Sequence, residues 1–337
     1  MMEREAMLWE PLEGKKVKCS LCAKRCTIKE GKRGFCMVRE NRDGSLYTLN
    51  YGLVSSVASD PIEKKPLYHF YPGTTVFSLG TVSCNFRCKQ CQNYSISQTA
   101  LEEARGYLKE YSPEKTVELA KDYGCSGIAW TYNEPTIWFE YTYDSAKLAK
   151  ENGLYTVYVT NGYFTGEALD TIAPYLDAMN VDVKSFRKDF YKDISKGRLG
   201  PVMESVERAV KKGIHVELTY LVIPTLNDSD EEIDDFIDWA AGVDVDIPVH
   251  FSRFHPEYKL MDLPPTPIET LERARDKGLE KLHYVYAGNV MGHEGENTFC
   301  YNCGELVIRR WGFIIREMKL TRENKCPSCG SEIKIIR

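Results

Sequence analysis

Cysteine is the residue type in this sequence with the most chemistry to offer. There are twelve, and all but Cys125 fall into three tight groups: Cys19/Cys22/Cys26/Cys36, Cys84/Cys88/Cys91 and Cys300/Cys303/Cys326/Cys329. Gaps of two and three residues are ligand spacing, and a reducing compartment keeps such thiols available as thiolates for metal. The central group reads C-x3-C-x2-C. Three thiolates can hold three irons of a cubane cluster and leave the fourth open to substrate, the feature that separates a catalytic metal site from a closed one. A zinc site with a remote fourth ligand is the alternative for the same spacing. The C-terminal group reads C-x2-C…C-x2-C, with Gly304 and Gly330 placed for tight turns after Cys303 and Cys329. Four thiolates suit a closed tetrahedral structural zinc site, with rubredoxin-like iron the alternative. The N-terminal group also offers four ligands; zinc is the first expectation there and an auxiliary Fe–S cluster its rival. Cys125, at the start of an apolar run, reads as a small buried core residue.

The elements that must position these groups follow from periodicity. Short β-branched or aromatic runs alternate with helical patterns, predicting strands near 76–82, 126–130, 154–160, 178–183, 215–222, 248–254 and 283–287. Tyr155–Val159 and Leu218–Val222 are nearly continuous apolar runs, as parallel strands buried on both faces require. Ser112-Pro113-Glu114 opens a helix to about Tyr123. Asn227 or Asp228 can cap a helix to about Ala241, and Thr266-Pro267-Ile268-Glu269 has capping-box spacing. Six or seven βα units fall short of a complete eightfold barrel. The fold class expected is α/β: a partial (β/α)6 TIM-like barrel, with a doubly wound sheet as the alternative. Residues 75–294 would form it, residues 1–74 a Cys-rich metal-binding segment and connector, and residues 295–337 a zinc-ribbon-like domain. The Cys84–Cys91 loop follows the first barrel strand, at the strand end where barrels gather active-site residues.

With that placement, the chain resembles the radical SAM superfamily, and within it the radical SAM member of the AmmeMemoRadiSam system, itself similar to pyruvate formate-lyase activating enzymes. Beside the triplet, the resemblance rests on Cys19-Ser20-Leu21-Cys22, Gly34-Phe35-Cys36, Glu63–Phe70 and Arg253-Phe254-His255-Pro256. It implies a [4Fe–4S] cluster on Cys84, Cys88 and Cys91 and S-adenosylmethionine (SAM) chelated to the open iron. It further implies an electron passed to the sulfonium, cleavage of the bond to C5′, and a 5′-deoxyadenosyl radical that removes hydrogen from a substrate. The cofactor carries the hard step; the protein orients it, supplies the electron and excludes water.

The resemblance also nominates residues at the next strand ends. Asn133 and Glu134 stand where relatives carry Gly-Gly-Glu-Pro around the SAM amino group; a carboxylate suits an ammonium donor. Thr160 and Asn161 begin a Thr-Asn-Gly turn near the ribose. Asp182 and Lys184, two apart on a strand, share a face, and Lys184 can pair with the SAM carboxylate. The alternatives are a helix-start Glu134, an ordinary Asn-Gly turn and a rim salt bridge. There are departures. Gln90 replaces the aromatic or large apolar residue expected beside the adenine, Asn133 replaces a glycine, and Val159 replaces an acid that contributes to a cation site. Glu217 reads as a charge inside a strand, facing the barrel lumen. His255 and Asn289 follow later strands, with structural and functional roles both open.

Net charge is −5, with 43% apolar and 28% charged residues, so no overall basic field argues for nucleic acid or membrane. The charged N-terminus carries no apolar signal segment, and no apolar run approaches a membrane span, so a cytoplasmic location is expected. The expected function is hydrogen abstraction from a protein or peptide partner, in the manner of glycyl-radical activation, with an electron donor such as ferredoxin or flavodoxin. RNA modification, or electron transfer without SAM chemistry, are the alternatives.

Overall fold

The computed structural model describes residues 4–337. Its centre is one eight-stranded sheet: β1 (Ser56–Pro61), β2 (Thr75–Gly80), β3 (Gly127–Trp130), β4 (Tyr155–Thr160), β5 (Ala178–Asp182), β6 (His215–Val222), β7 (Val249–Arg253) and β8 (Val285–Gly288). Each strand hydrogen-bonds to the next in chain order. From β2 to β8 all pairings are parallel, and β1 pairs antiparallel with β2. β1 and β8 are edges, so the barrel is open. The seven parallel strands are the seven expected. β1 was not; it lies in the stretch read as a connector, and its alternately exposed SVASDP pattern is that of an edge strand ending in proline.

Helices cross between the strands: α1 (Pro113–Asp122), α2 (Phe139–Glu151), α3 (Gly166–Ile172), α4 (Leu199–Lys211), α5 (Asp230–Val243) and α6 (Ile268–Leu279). α4 shows the rule they follow, burying Leu199, Val202, Val206 and Ala209 along one stripe. Ser112 caps α1 by accepting from Lys115 N at 3.2 Å. Two other expected caps are corrected. Ser229, not Asn227 or Asp228, caps α5, because the Asn227 amide is occupied by Ile223 N, Lys184 O and Leu221 O. Thr266 caps nothing; its hydroxyl joins Phe254 N to Val222 O and ties the ends of β6 and β7.

Glu217, in the middle of β6, faces the lumen and is fully buried. It accepts from Tyr68 N at 2.9 Å, His69 N at 2.7 Å, and the rings of His215 and His250 at 3.0 and 2.7 Å. Burial alone would raise its pKa, yet the bonds from the two histidines hold it well below the ordinary carboxylate range. The charge therefore has a structural task, anchoring the segment that enters β2. The C-terminal unit docks on that same segment: Arg310 donates to Tyr68 O at 3.0 Å, Ile336 N to His69 O at 2.9 Å, and His69 Nδ1 meets Lys334 O at 2.6 Å. Among the described residues, no helix is long and apolar enough to cross a membrane.

Glu217→Ala is expected to lower stability by about 3–5 kcal/mol, since it strands buried partners, read as a drop in the guanidinium midpoint. In the wild type this contribution is complete above pH 4.5, the carboxyl's ordinary value, and fades as pH falls below it, because the folded value is depressed. A loss under about 1 kcal/mol, the scale of an exposed pair, would contradict the anchoring role.

Candidate active site

Beyond the C-terminal end of β2, the chain turns through Ser83, which adopts a left-handed φ of 72°. The loop Cys84–Cys91 that follows has no regular secondary structure and is held by bonds from its neighbours. Asn133, after β3, accepts from Thr81 N at 3.1 Å and donates to Ser83 O at 2.8 Å. Asn161, after β4, donates to Asn85 Oδ1 at 2.8 Å and approaches Cys84 Sγ at 3.8 Å. Arg87 donates to Cys84 O at 2.6 Å, and Arg87 N to Ser195 O at 3.0 Å. Phe86 N donates to Cys84 Sγ at 3.3 Å, and Cys91 Sγ meets Ser97 Oγ at 3.0 Å.

The three sulfurs open into one cavity of about 550 Å³, which is also lined by Asn133, Glu134, Asn161, Asp182 and Lys184. Thr160 is the one nominated residue outside the lining. It is buried behind Glu134, to which its hydroxyl donates at 2.7 Å. Val159 and Gln90 line the cavity too, as Asn133 does, so all three departures read from the sequence lie at the site.

The acceptor capacity of Glu134 is largely committed. Oε1 takes Thr136 N, Thr136 Oγ1 and Thr160 Oγ1 at 3.0, 2.6 and 2.7 Å, and Oε2 takes Asn161 N at 2.8 Å. Burial raises its pKa, opposed by these bonds. Of a carboxylate's four acceptor directions, one on Oε2 is left. Glu134 thus ties the ends of β3 and β4 and keeps a single position for a donor in the cavity. Asn133, with both amide ends used on the backbone before Cys84, acts as a loop tie. Asp182 and Lys184 do share a face, with Nζ 2.7 Å from Oδ2. Burial disfavours charge on Lys184, but Asp182 and then Cys88 outweigh it and raise its affinity for the proton. Burial pushes the Cys88 thiol up to about 11, with Lys184 acting against it. A cation therefore stands beside the cysteine sulfurs.

Asn289, at a left-handed φ of 60°, lines this cavity and an adjoining one of about 360 Å³, where His255 lies. Phe313, from the turn between the strands Leu306–Trp311 and Ile314–Met318, lines both. Nothing in the sequence placed Phe313 at the site: its approach depends on how the C-terminal unit docks, which no local pattern encodes.

The sequence profile of the radical SAM superfamily matches residues 79–239, the run from the end of β2 into α5 that builds most of this cavity. The chain carries a radical SAM superfamily domain. It is a radical SAM enzyme, and membership implies a [4Fe–4S] cluster and SAM as cofactors. It is 50% identical over 336 residues to an uncharacterized protein of Methanocaldococcus jannaschii, covering 99% of each. It is 28% identical over 227 residues to the pyruvate formate-lyase-activating enzyme of Clostridium pasteurianum, covering 62% of this chain and 88% of that one. The structure of Streptococcus suis SuiB bound to the precursor peptide SuiA matches with a TM-score of 0.50 at 14% identity, over 68% of this chain and 51% of SuiB, a likeness of fold.

The site fits those cofactors on its own chemistry. Three cysteines that can each supply a thiolate converge from one loop, and a lysine stands beside them. The Gln90 side chain is 4% exposed with neither its amide nitrogen nor its oxygen bonded. A buried unpaired amide is expensive, so a donor-and-acceptor surface lining the cavity suits a polar ligand there.

Asn133→Gly removes the acceptor of Thr81 N. Hydrogen exchange at Thr81 is expected to quicken roughly tenfold, the effect of one lost bond of about 1.4 kcal/mol. Unchanged protection at Thr81 would contradict the loop-tie role.

Proposed function

We propose that Cys84, Cys88 and Cys91 carry the cluster, and that this enzyme uses it with SAM to abstract hydrogen from a protein or peptide partner. When bound, the cluster and SAM supply one-electron cleavage of the sulfonium and hydrogen-atom abstraction. The chain does the rest. Lys184 pairs with the SAM carboxylate across the cavity, and the free position on Glu134 Oε2 accepts from its amino group. Gln90 bonds an edge of the adenine where relatives place an apolar contact. The electron comes from an external donor such as ferredoxin or flavodoxin. The C-terminal group of four cysteines holds a zinc ion that fixes the Phe313 turn against the barrel. Thiols that serve as metal ligands need a reducing compartment, and the location proposed is the cytoplasm.

The observation that carries the choice of partner is the mouth of the paired cavities. Met291, Trp311, Phe313 and Ile314 are 72%, 53%, 40% and 53% exposed. They stand together: a Cβ on Gly292 would meet the Trp311 ring at 2.8 Å, and one on Gly312 would meet Met291 Cγ at 3.5 Å. An exposed apolar patch rimming a catalytic cavity is the mark of a macromolecular contact, and aromatic residues dominate such contacts. The similarity to an activating enzyme points the same way.

Two measurements test this reading. Under anaerobic reduction by dithionite, the wild type is expected to cleave SAM, and Lys184→Met to weaken SAM binding by about tenfold or more, the worth of a charge-assisted bond. Trp311→Ser with Ile314→Ser, neither of which lines the cysteine cavity, is expected to leave partner-free SAM cleavage intact while a co-purifying polypeptide is lost from anaerobic pull-downs. A protein that takes up iron and never cleaves SAM would overturn the first; a double variant that still retains the polypeptide would overturn the second.

A further inference from the structure

Four thiolates can close on a metal centre in two ways, and sulfur spacing tells them apart. On one ion, with bonds of about 2.3 Å in a tetrahedron, neighbouring sulfurs lie about 3.8 Å apart. On a cubane each thiolate binds its own iron, so the sulfurs stand much farther apart around the cluster. The C-terminal group has the first geometry. Cys300 and Cys329 sulfurs are 3.6 Å apart, Cys303 and Cys326 sulfurs 3.7 Å, and all four lie within 4.8 Å of one another. Paired turns make it: Gly304 N bonds Cys300 O and Gly330 N bonds Cys326 O, both at 2.9 Å.

Among the described residues, no other three ligand atoms of Cys, His, Asp or Glu meet that single-ion spacing. The N-terminal four nevertheless converge. Cys19, Cys22, Cys26 and Cys36 ring one small hollow, walled from water by Leu21, Ile28 and Ile137. The site is built: Arg39, 1% exposed and paired with Glu140, donates to Cys19 Sγ at 3.4 Å, and Phe35 N donates to Cys26 Sγ at 3.5 Å. These four share their wider spacing with Cys84, Cys88 and Cys91, which also fall outside the single-ion set. They differ from that triplet in supplying a fourth sulfur, which closes every corner.

We propose that the N-terminal cysteines hold a second [4Fe–4S] cluster, fully ligated by protein, and not zinc. It lies against the first loop. The Cys36 carbonyl accepts from Ser83 Oγ at 2.6 Å, Ser83 is peptide-bonded to Cys84, and Arg87 donates to Phe35 O at 2.8 Å while holding Cys84 O. Two clusters that share this wall are near enough for their reduced spins to interact.

The test is metal analysis with electron paramagnetic resonance on the anaerobically reconstituted full-length protein. The wild type is expected to carry about eight irons and one zinc per chain, two cubanes and one mononuclear site. Its dithionite-reduced signal should be broadened by coupling. Cys84→Ala/Cys88→Ala/Cys91→Ala should keep about four irons and give a narrower, uncoupled cubane signal. That retained iron reports the N-terminal site alone, whether or not SAM chemistry occurs at the triplet. Two zincs and about four irons in the wild type, or an iron-free triplet variant that still folds by circular dichroism, would overturn the proposal.

Discussion

The constraint on which this structure turns is that eight residues without regular secondary structure must present three cysteine sulfurs at one strand end. A loop of that kind has no internal hydrogen-bond ladder to fix it. Its geometry is imposed from outside: by Asn133 from the end of β3, Asn161 from the end of β4, Ser195 beyond β5, and the Cys36 carbonyl through Ser83. Adjacent parallel strands make this workable, because each strand in chain order brings its end beside the next. The barrel's contribution to the chemistry is this gathering of ends.

The same logic explains why so many nominated cofactor contacts are also structural ties. Glu134 satisfies four donors before any ligand arrives, and Asn161 spends its amide on Asn85. A site that must present a cation, a thiolate loop and a narrow set of polar contacts in fixed register needs that supporting shell. What remains uncommitted is informative by contrast: the Gln90 amide has no protein partner at all.

Much of the fold was legible because its strands are buried on both faces and read as apolar runs of the right length. Tyr155–Thr160 and His215–Val222 emerge as expected. β1 escaped because an edge strand with polar residues and a terminal proline resembles a connector. The caps of α5 and α6 were misassigned because Asn227 and Thr266 have the right residue type, and only the tertiary structure shows that their side chains are already spent elsewhere. Cysteine spacing pointed to three metal-binding groups, but not to how many ions each holds. C-x2-C-x3-C-x9-C and C-x2-C…C-x2-C both offer four sulfurs, and the distances between those sulfurs depend on backbone turns and on Arg39 beneath them. The cavity residues could be nominated one strand end at a time. Phe313 could not, since it arrives from a unit docked through Arg310, His69 and the chain's last residues.

The central claim is that the cluster on the Cys84–Cys91 loop has one iron open to the cavity. Electron–nuclear double resonance on the reduced protein with SAM carrying a ¹⁵N-labelled amino group tests it most directly. The account expects a nitrogen hyperfine coupling that appears with SAM and is absent when Cys84, Cys88 and Cys91 are all alanine. A SAM-saturated wild-type protein with no such coupling would contradict it.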